Sequence, residues 1–306
     1  TPSPMNRAVH GEERRGLLEH GVFQREEETG TPVTVLGWDP ATPDQGDFVG
    51  DFANTAAAQS ISEGQLAAGA DVFVIRGATV SAEHVSNEDS AGEPLNLKTF
   101  ISELDIPVVA GGVQDHRTAL HLMRTGAAGV IVGAGVTTNA ETVGIDTAMA
   151  TAIADAAAAR RDYLDETGGR YVHIIADTEF ENSGNIAKAF ACGADSVALG
   201  PLLAQAREAG GKGWYWPATA GHPRFPRGFV QFSGADADLD VDFLTAGTPA
   251  EAAEESAAPS LETVLHGPSS EPFGRTNLVG ALRRSMAKCG YTDLKSFQKV
   301  ELAVRH

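Results

Sequence analysis

The sequence predicts an α/β protein built from consecutive βα units on a parallel sheet. Three observations lead there. First, one pattern recurs in "LAAGADVFVIRG" (Leu66–Gly77), "MRTGAAGVIVGAG" (Met123–Gly135) and "AFACGADSVALG" (Ala189–Gly200). Each copy has a helix end, a glycine suited to the left-handed turn that stops a helix, small or acidic residues, and a β-branched run ending in glycine. Second, those runs do not alternate between apolar and polar residues, as befits strands covered on both faces. Third, helical patterns fill the gaps between them, so strand and helix alternate from about Val72 to Leu203.

The elements follow in order. Residues 1–30 read as a charged, partly helical tail, and 31–230 as the βα core. Within the core, Val33–Ala41 ("VTVLGWDPA") is a candidate early strand, and "WDPATPDQGDFVG" reads as loop. After the strand that ends the first repeat, "LNLKTFISELD" predicts a helix starting near Pro94 and ending before Pro107. Ile106–Gly112 is the next strand. "DHRTALHLMRTG" predicts a helix capped by Asp115 and stopped by Gly126. The strand of the second repeat leads to "TAMATAIADAAAARRDYLDETGG", strongly helical, with Met149, Ile153, Ala156, Arg160 and Leu164 near one face and Gly168-Gly169 at its end. Tyr171–Asp177 is a strand, and "NSGNIAKAFACG" a helix capped by Asn182 or Ser183.

Residues 231–266 hold eight acids and no lysine or arginine, and read as a solvated insertion, mobile in its middle, with a short helix at "SLETVLHG". Residues 267–306 read as a helical segment packing back on the core. There Leu282, Met286 and Cys289 share a helical face and Gly290 is the stop.

Composition excludes several classes. With 23 basic and 41 acidic residues the net charge is −18, which gives nucleic acid and anionic membrane nothing to attract. Two cysteines make neither a disulfide framework nor a metal cluster and fit a reducing cytoplasm. The longest small-apolar run, Ala148–Ala159, contains Asp155 and does not qualify as a membrane span. The stretch "TPSPMNRAVHGEERRGLL" has no apolar signal-peptide core.

Familiar chemical motifs are missing. There is no phosphate-binding G-x-x-x-x-G-K-[ST] and no G-x-S-x-G, and Gly133-Ala134-Gly135 lacks the third glycine of a dinucleotide fingerprint. "DADLDVD" (Asp236–Asp242) lacks the glycine and closing glutamate of a calcium loop. His116 and His121 are poorly spaced for a shared zinc. His173 reads as a hydrogen-bonded core histidine, and Cys192, at the end of an apolar helix, as packing.

The strand ends "VVAGGVQD", "GVIVGAG", "HIIADTEF" and "SVALGPLLA" resemble the last four barrel strands of the inosine monophosphate (IMP) dehydrogenase and GMP reductase family, most closely its actinobacterial dehydrogenase-related branch. The likeness is carried by "EPLNLKTFISELDIPVVAGGVQDHRTALHLMRTGAAGVIVG", "MATAIADAAAARRDYLDETGGRYVHIIAD" and "NLVGALRRSMAKCGYTDLKSFQKV", with "AAGADVFVIRGATVSAEHVS", over roughly 67–230 and 277–300. It implies a (β/α)8 TIM-type barrel with its site at the carboxyl ends of the strands. Residues 1–65 do not show the usual opening strands of such a barrel. It also implies a cysteine that attacks C2 of the purine, hydride transfer to NAD, and a homo-oligomer, a tetramer in the family.

Carried over residue by residue, the resemblance is uneven. The nucleophile belongs in the loop Ala134–Thr138, where Val136, Thr137 and Thr138 stand and no cysteine does. A threonine there would need an adjacent base. Gly133 and Gly135 remain as cofactor-loop candidates. Asp177 matches the family's ribose-binding aspartate, but Thr178 and Glu179 replace the glycines that meet the phosphate. At ~5 Å and an effective dielectric of ~20, one like-charge contact opposes phosphate by roughly 3 kcal/mol, on the order of a hundredfold in affinity. Gly200 is kept at the last strand, and Pro201, without N–H or hydroxyl, replaces a phosphate-binding serine. The family's Arg-Tyr flap is not recognisable. "GKGWYWPATAGHPRFPRG" stands in its place, and Trp214, Tyr215 and Trp216 read as a buried anchor or a lid, the anchor being favoured. The expectation is a nucleotide-binding or assembly protein on this scaffold, alone or beside an active dehydrogenase. The alternatives are an active NAD-dependent dehydrogenase or reductase of purine nucleotides, and a rebuilt site using Asp177 and Glu179 as acid and base.

Overall fold

The computed structural model describes residues 71–76, 83–84, 95–133, 148–178, 180–210, 213–215, 231–232 and 258–303. The charged tail, the candidate strand Val33–Ala41, the loop Ala134–Thr138, Glu179, Trp216 and the middle of the acidic segment lie outside them. The described residues as far as Asp177 form one compact unit, and those from Thr178 onward form a second.

In the first unit the strands are β1 (Phe73–Arg76), β2 (Glu83–His84), β3 (Leu95–Asn96), β4 (Val108–Val113), β5 (Gly129–Val132) and β6 (His173–Ala176). The helices are α1 (Leu97–Glu103), α2 (His116–Arg124) and α3 (Met149–Thr167). Strands β1, β4, β5 and β6 pair in parallel and in chain order, with Phe73 opposite Val108, Val109 opposite Gly129 and Gly129 opposite His173. An order that never reverses is the winding of a barrel, not of a doubly wound sheet. β2 and β3 form a separate antiparallel pair.

Local chemistry sets the helix ends. The side chain of Asn96 accepts from Thr99 N–H at 3.1 Å and that of Asp115 from Thr118 N–H at 2.8 Å, which satisfies N–H groups the helix itself leaves over. α3 stops at Gly168, in the left-handed conformation at φ 69°, and the next N–H, of Gly169, closes on the Leu164 carbonyl at 2.9 Å. Its buried Ala152, Ala156 and Ala159 leave little side chain between backbones, and α3 packs against α2 and strands β5 and β6. Phe73, Val108, Ala110, Val130, Val132, Ile174 and Ala176 fill the sheet side of this core. Two polar contacts cross from α2 to α3 at the surface, a hydrogen bond between His116 Nε2 and Asp162 at 2.8 Å and the ion pair of Arg124 with Glu166.

The second unit contains α4 (Ser183–Ala191), β7 (Ser196–Val197), α5 (Pro201–Ala204), β8 (Trp214–Tyr215), β9 (Gln231–Phe232), α6 (Leu261–His266), α7 (Leu278–Lys288) and α8 (Leu294–Phe297). β8 and β9 pair antiparallel, so the segment read as an acidic insertion begins in a strand pair. α6 is the short helix expected there, and the Ser260 side chain caps it by accepting from Thr263 N–H at 3.1 Å. α7 packs on α4, and the Gln298 amide donates to the Ala194 carbonyl at 2.7 Å.

Two expectations are corrected. His173 is exposed, not in the core. It is the first residue of β6, where its ring meets Tyr171 edge-on at 5.2 Å, and it lies on the opposite face from buried Val172 and Ile174, because side chains alternate along a strand. Cys289 is exposed too. The buried face of α7 is made by Leu278 and Met286, and Cys289 falls past it at the C-cap before Gly290.

Candidate functional site

Parallel strands present their carboxyl ends on one side, and chemistry on such sheets collects there. In the first unit those ends are stepped together. Gly133 N–H donates to the Val113 carbonyl at 2.9 Å, and Asp177 N–H to the Val132 carbonyl at 2.8 Å. Asp177 is only 4% exposed, the most buried acid among the described residues. A carboxylate so placed is held by its surroundings, which suits a residue that must present oxygens in one orientation.

Gly133 explains why this junction needs a glycine. Its φ is +85°, and a Cβ there would run into the Asp177 carbonyl oxygen and the Met149 thioether, with Met149 Cε at 2.9 Å and Sδ at 3.0 Å. The structure therefore brings together Gly133, Asp177 and Met149, the last from the start of α3. Met149 had signalled only a helix face in the sequence. The room left by the missing side chain of Gly133 is filled by protein atoms, and its partner Gly135 lies outside the described residues.

In the second unit Gly200 plays a similar part. A Cβ on it would lie 2.6–2.8 Å from the ring and hydroxyl of Tyr215. Gly200 is the N-cap of α5 and Pro201 its first residue, where the missing N–H costs the helix nothing. Tyr215, half-buried in β8 with its ring against Gly200, is thus an anchor for its strand pair. Thr178, which opens this unit, is half-buried. At the start of α4 the N–H groups of Ser183 and Asn185 already have acceptors, the Gly274 carbonyl at 2.8 Å and the Asn182 side chain at 3.0 Å.

The two cysteines are both at helix ends. Cys192 is the C-cap of α4, in the turn that enters β7, which is the amino end of that strand. Burial pushes its thiol above the ordinary range, the opposite of what a nucleophile needs. Among the described residues no group of three or more His, Cys, Asp or Glu side chains could hold a metal ion, and no helix is long and apolar enough to cross a membrane.

Residues 53–305 match the family described as the IMP dehydrogenase / GMP reductase domain. The chain belongs to that family. A protein of Mycolicibacterium smegmatis named an uncharacterized oxidoreductase is 61% identical over 251 residues, 81% of this chain and 61% of that protein. The inosine-5'-monophosphate dehydrogenase of Methanocaldococcus jannaschii is 29% identical over 238 residues, 72% of this chain and 44% of its own length. The crystal structure of an IMP dehydrogenase/GMP reductase-like protein from Corynebacterium glutamicum is similar at a TM-score of 0.69 and 56% identity, over 82% of this chain and 60% of that one. This chain spans about three fifths of the length of its mycobacterial relatives, 61% in the M. smegmatis case. Its fold class is the TIM-type barrel of this family, and the in-order parallel strands β1, β4, β5 and β6 are that barrel's winding.

Proposed function

We propose that this family member binds a purine nucleotide without carrying out the thiol step, and works as a nucleotide-binding or assembly protein, alone or with an active dehydrogenase. The observation behind it is the placing of sulfur. The loop Ala134–Thr138 has no cysteine, and the chain's two cysteines are C-caps of α4 and α7. Asp177 supplies the ribose contact on this reading, and Gly200 one edge of the phosphate position. Thr178, Glu179 and Pro201 weaken phosphate binding without abolishing it. NAD comes in by the family resemblance alone, with Gly133 and Gly135 as its candidate loop.

Isothermal titration of IMP into the purified protein, followed by addition of NAD, tests this. Binding in the micromolar range with no NADH formed is the expected result. NADH formation would overturn the loss of chemistry and favour an active dehydrogenase. No heat up to millimolar IMP from folded protein would remove the nucleotide and leave the assembly role. A second test installs a cysteine as Val136→Cys, Thr137→Cys or Thr138→Cys together with Thr178→Gly, Glu179→Gly and Pro201→Ser. Tighter IMP binding is expected from all three, and folded variants that bind nothing would show the site alignment to be wrong.

A further inference from the structure

The loop between α6 and α7 is organised around one carboxylate. Glu271 accepts from the N–H groups of Phe273 at 2.6 Å, Arg275 at 2.6 Å and Thr276 at 3.0 Å. The Thr276 hydroxyl in turn donates to Ser269 Oγ at 2.7 Å. Burial works against the charge on Glu271, yet those three N–H donors outweigh it and hold the carboxyl below its ordinary range. The anion is therefore the preferred form, and the loop closes around it.

The closed loop grips two helices through its backbone carbonyls. Gly274 accepts from the N–H of Ser183, the first residue of α4, at 2.8 Å. Arg275 accepts from the side-chain amide of Gln205, the C-cap of α5, at 2.8 Å, and the same amide donates to Leu202 at 2.7 Å within α5. The grip on α4 is close. Gly274 has φ +79°, and a Cβ there would lie 2.6 Å from Ser183 Oγ. Helix α4 begins shortly after Thr178 and α5 directly after Gly200, the described positions that carry the phosphate in the proposed function.

We propose that this loop is the positioning element of the phosphate end of the nucleotide site, with Glu271 as its positioning residue: it sets the spacing of α4 and α5 and so of the turns ahead of them. The ligand in question is the 5'-phosphate of a purine nucleotide, and that part rests on the proposed function. The clamp itself does not, because its bonds lie within the second unit.

The experiment follows two readouts in the full chain, amide hydrogen exchange at Ser183 and the affinity for IMP, in Glu271→Gln and Gln205→Ala. Glu271→Gln is expected to speed Ser183 exchange by about tenfold or more and to weaken IMP binding by a similar factor, with a cooperative melt retained. Glu271→Asp, which keeps the charge, is expected to recover part of both. If Glu271→Gln does not fold, Gln205→Ala, which removes the bond to Arg275 together with the amide's bond to Leu202 within α5, should still weaken IMP binding several-fold. Unchanged exchange at Ser183 would overturn the clamp. Faster exchange with unchanged IMP affinity would overturn its role in positioning and leave a structural loop. If the unaltered protein binds no IMP, the nucleotide reading and with it the ligand role fall, while Ser183 exchange still decides whether the clamp exists.

Discussion

At the scale of single residues, the junction of Gly133 and Asp177 carries the most weight. Gly133→Ala would place a methyl group in the left-handed region and against the Asp177 carbonyl. Strain of that kind costs on the order of 1–3 kcal/mol, so the urea midpoint should fall clearly while the unfolding slope stays the same. Asp177→Asn keeps the shape and removes the charge. Titration should show IMP affinity reduced at least tenfold, and equal affinity would remove Asp177 from the ribose contact. The thiols provide a check on reactivity. A soluble alkylating reagent near neutral pH should modify exposed Cys289 first. Half-buried Cys192, whose thiol is raised by burial, should react slowly and gain rate only as the pH climbs past the ordinary thiol range. Rapid modification of Cys192 at neutral pH would contradict its packing role.

At the scale of elements, helix ends were the most legible part of the sequence. Asp115 and Gly126 bound α2, Gly168 stops α3, and of the two cap candidates for α4 Asn182 does the capping. These signals are local: a side chain three residues away from the N–H it satisfies. Asn182→Ala should lower stability by about 1 kcal/mol in urea titration, with Asn182→Asp close to neutral. Strand lengths were less legible. The run "SVALG" yields a strand only at Ser196–Val197, because pairing length depends on neighbours that a run of apolar residues does not name. His173 shows the same limit. An apolar run does not say which face of a strand is covered, and His173 lies on the opposite face from buried Val172, Ile174 and Ala176.

Across the whole molecule, acid should act in two opposed ways. The net charge of −18 shrinks as pH falls from neutral toward the isoelectric point near 4.8, which relieves self-repulsion. Several carboxyls meanwhile sit below their ordinary range: Glu166 through its hydrogen bond from Arg124, Glu208 through Leu261 N–H, Asp293 through Ser296 N–H, and Glu271, despite burial, through its three N–H donors. A depressed carboxyl contributes stability that is complete above its unfolded value and lost as pH falls through its folded one. The melting temperature should therefore hold or rise slightly on mild acidification and drop once the pH enters and passes below the carboxylate range. Added salt should shrink the rise, since repulsion among surface charges is screened. A melting temperature that falls steadily from neutral pH would show that the anionic caps and pairs do not govern acid stability.

The sequence by itself determined the class of fold, the order of its βα units, most helix boundaries and the absence of a thiol from the loop at Ala134–Thr138. All of these depend on residue type within a few positions or on a resemblance that runs along the chain. Only the tertiary structure decided that Gly133, Asp177 and Met149 meet, that the ring of Tyr215 sits on Gly200, and that Gly274 holds the first turn of α4. The physical reason is separation along the chain. Ser183 and Gly274 are bonded partners drawn from distant segments, and no local pattern records which carbonyl will reach a given N–H once the core has closed.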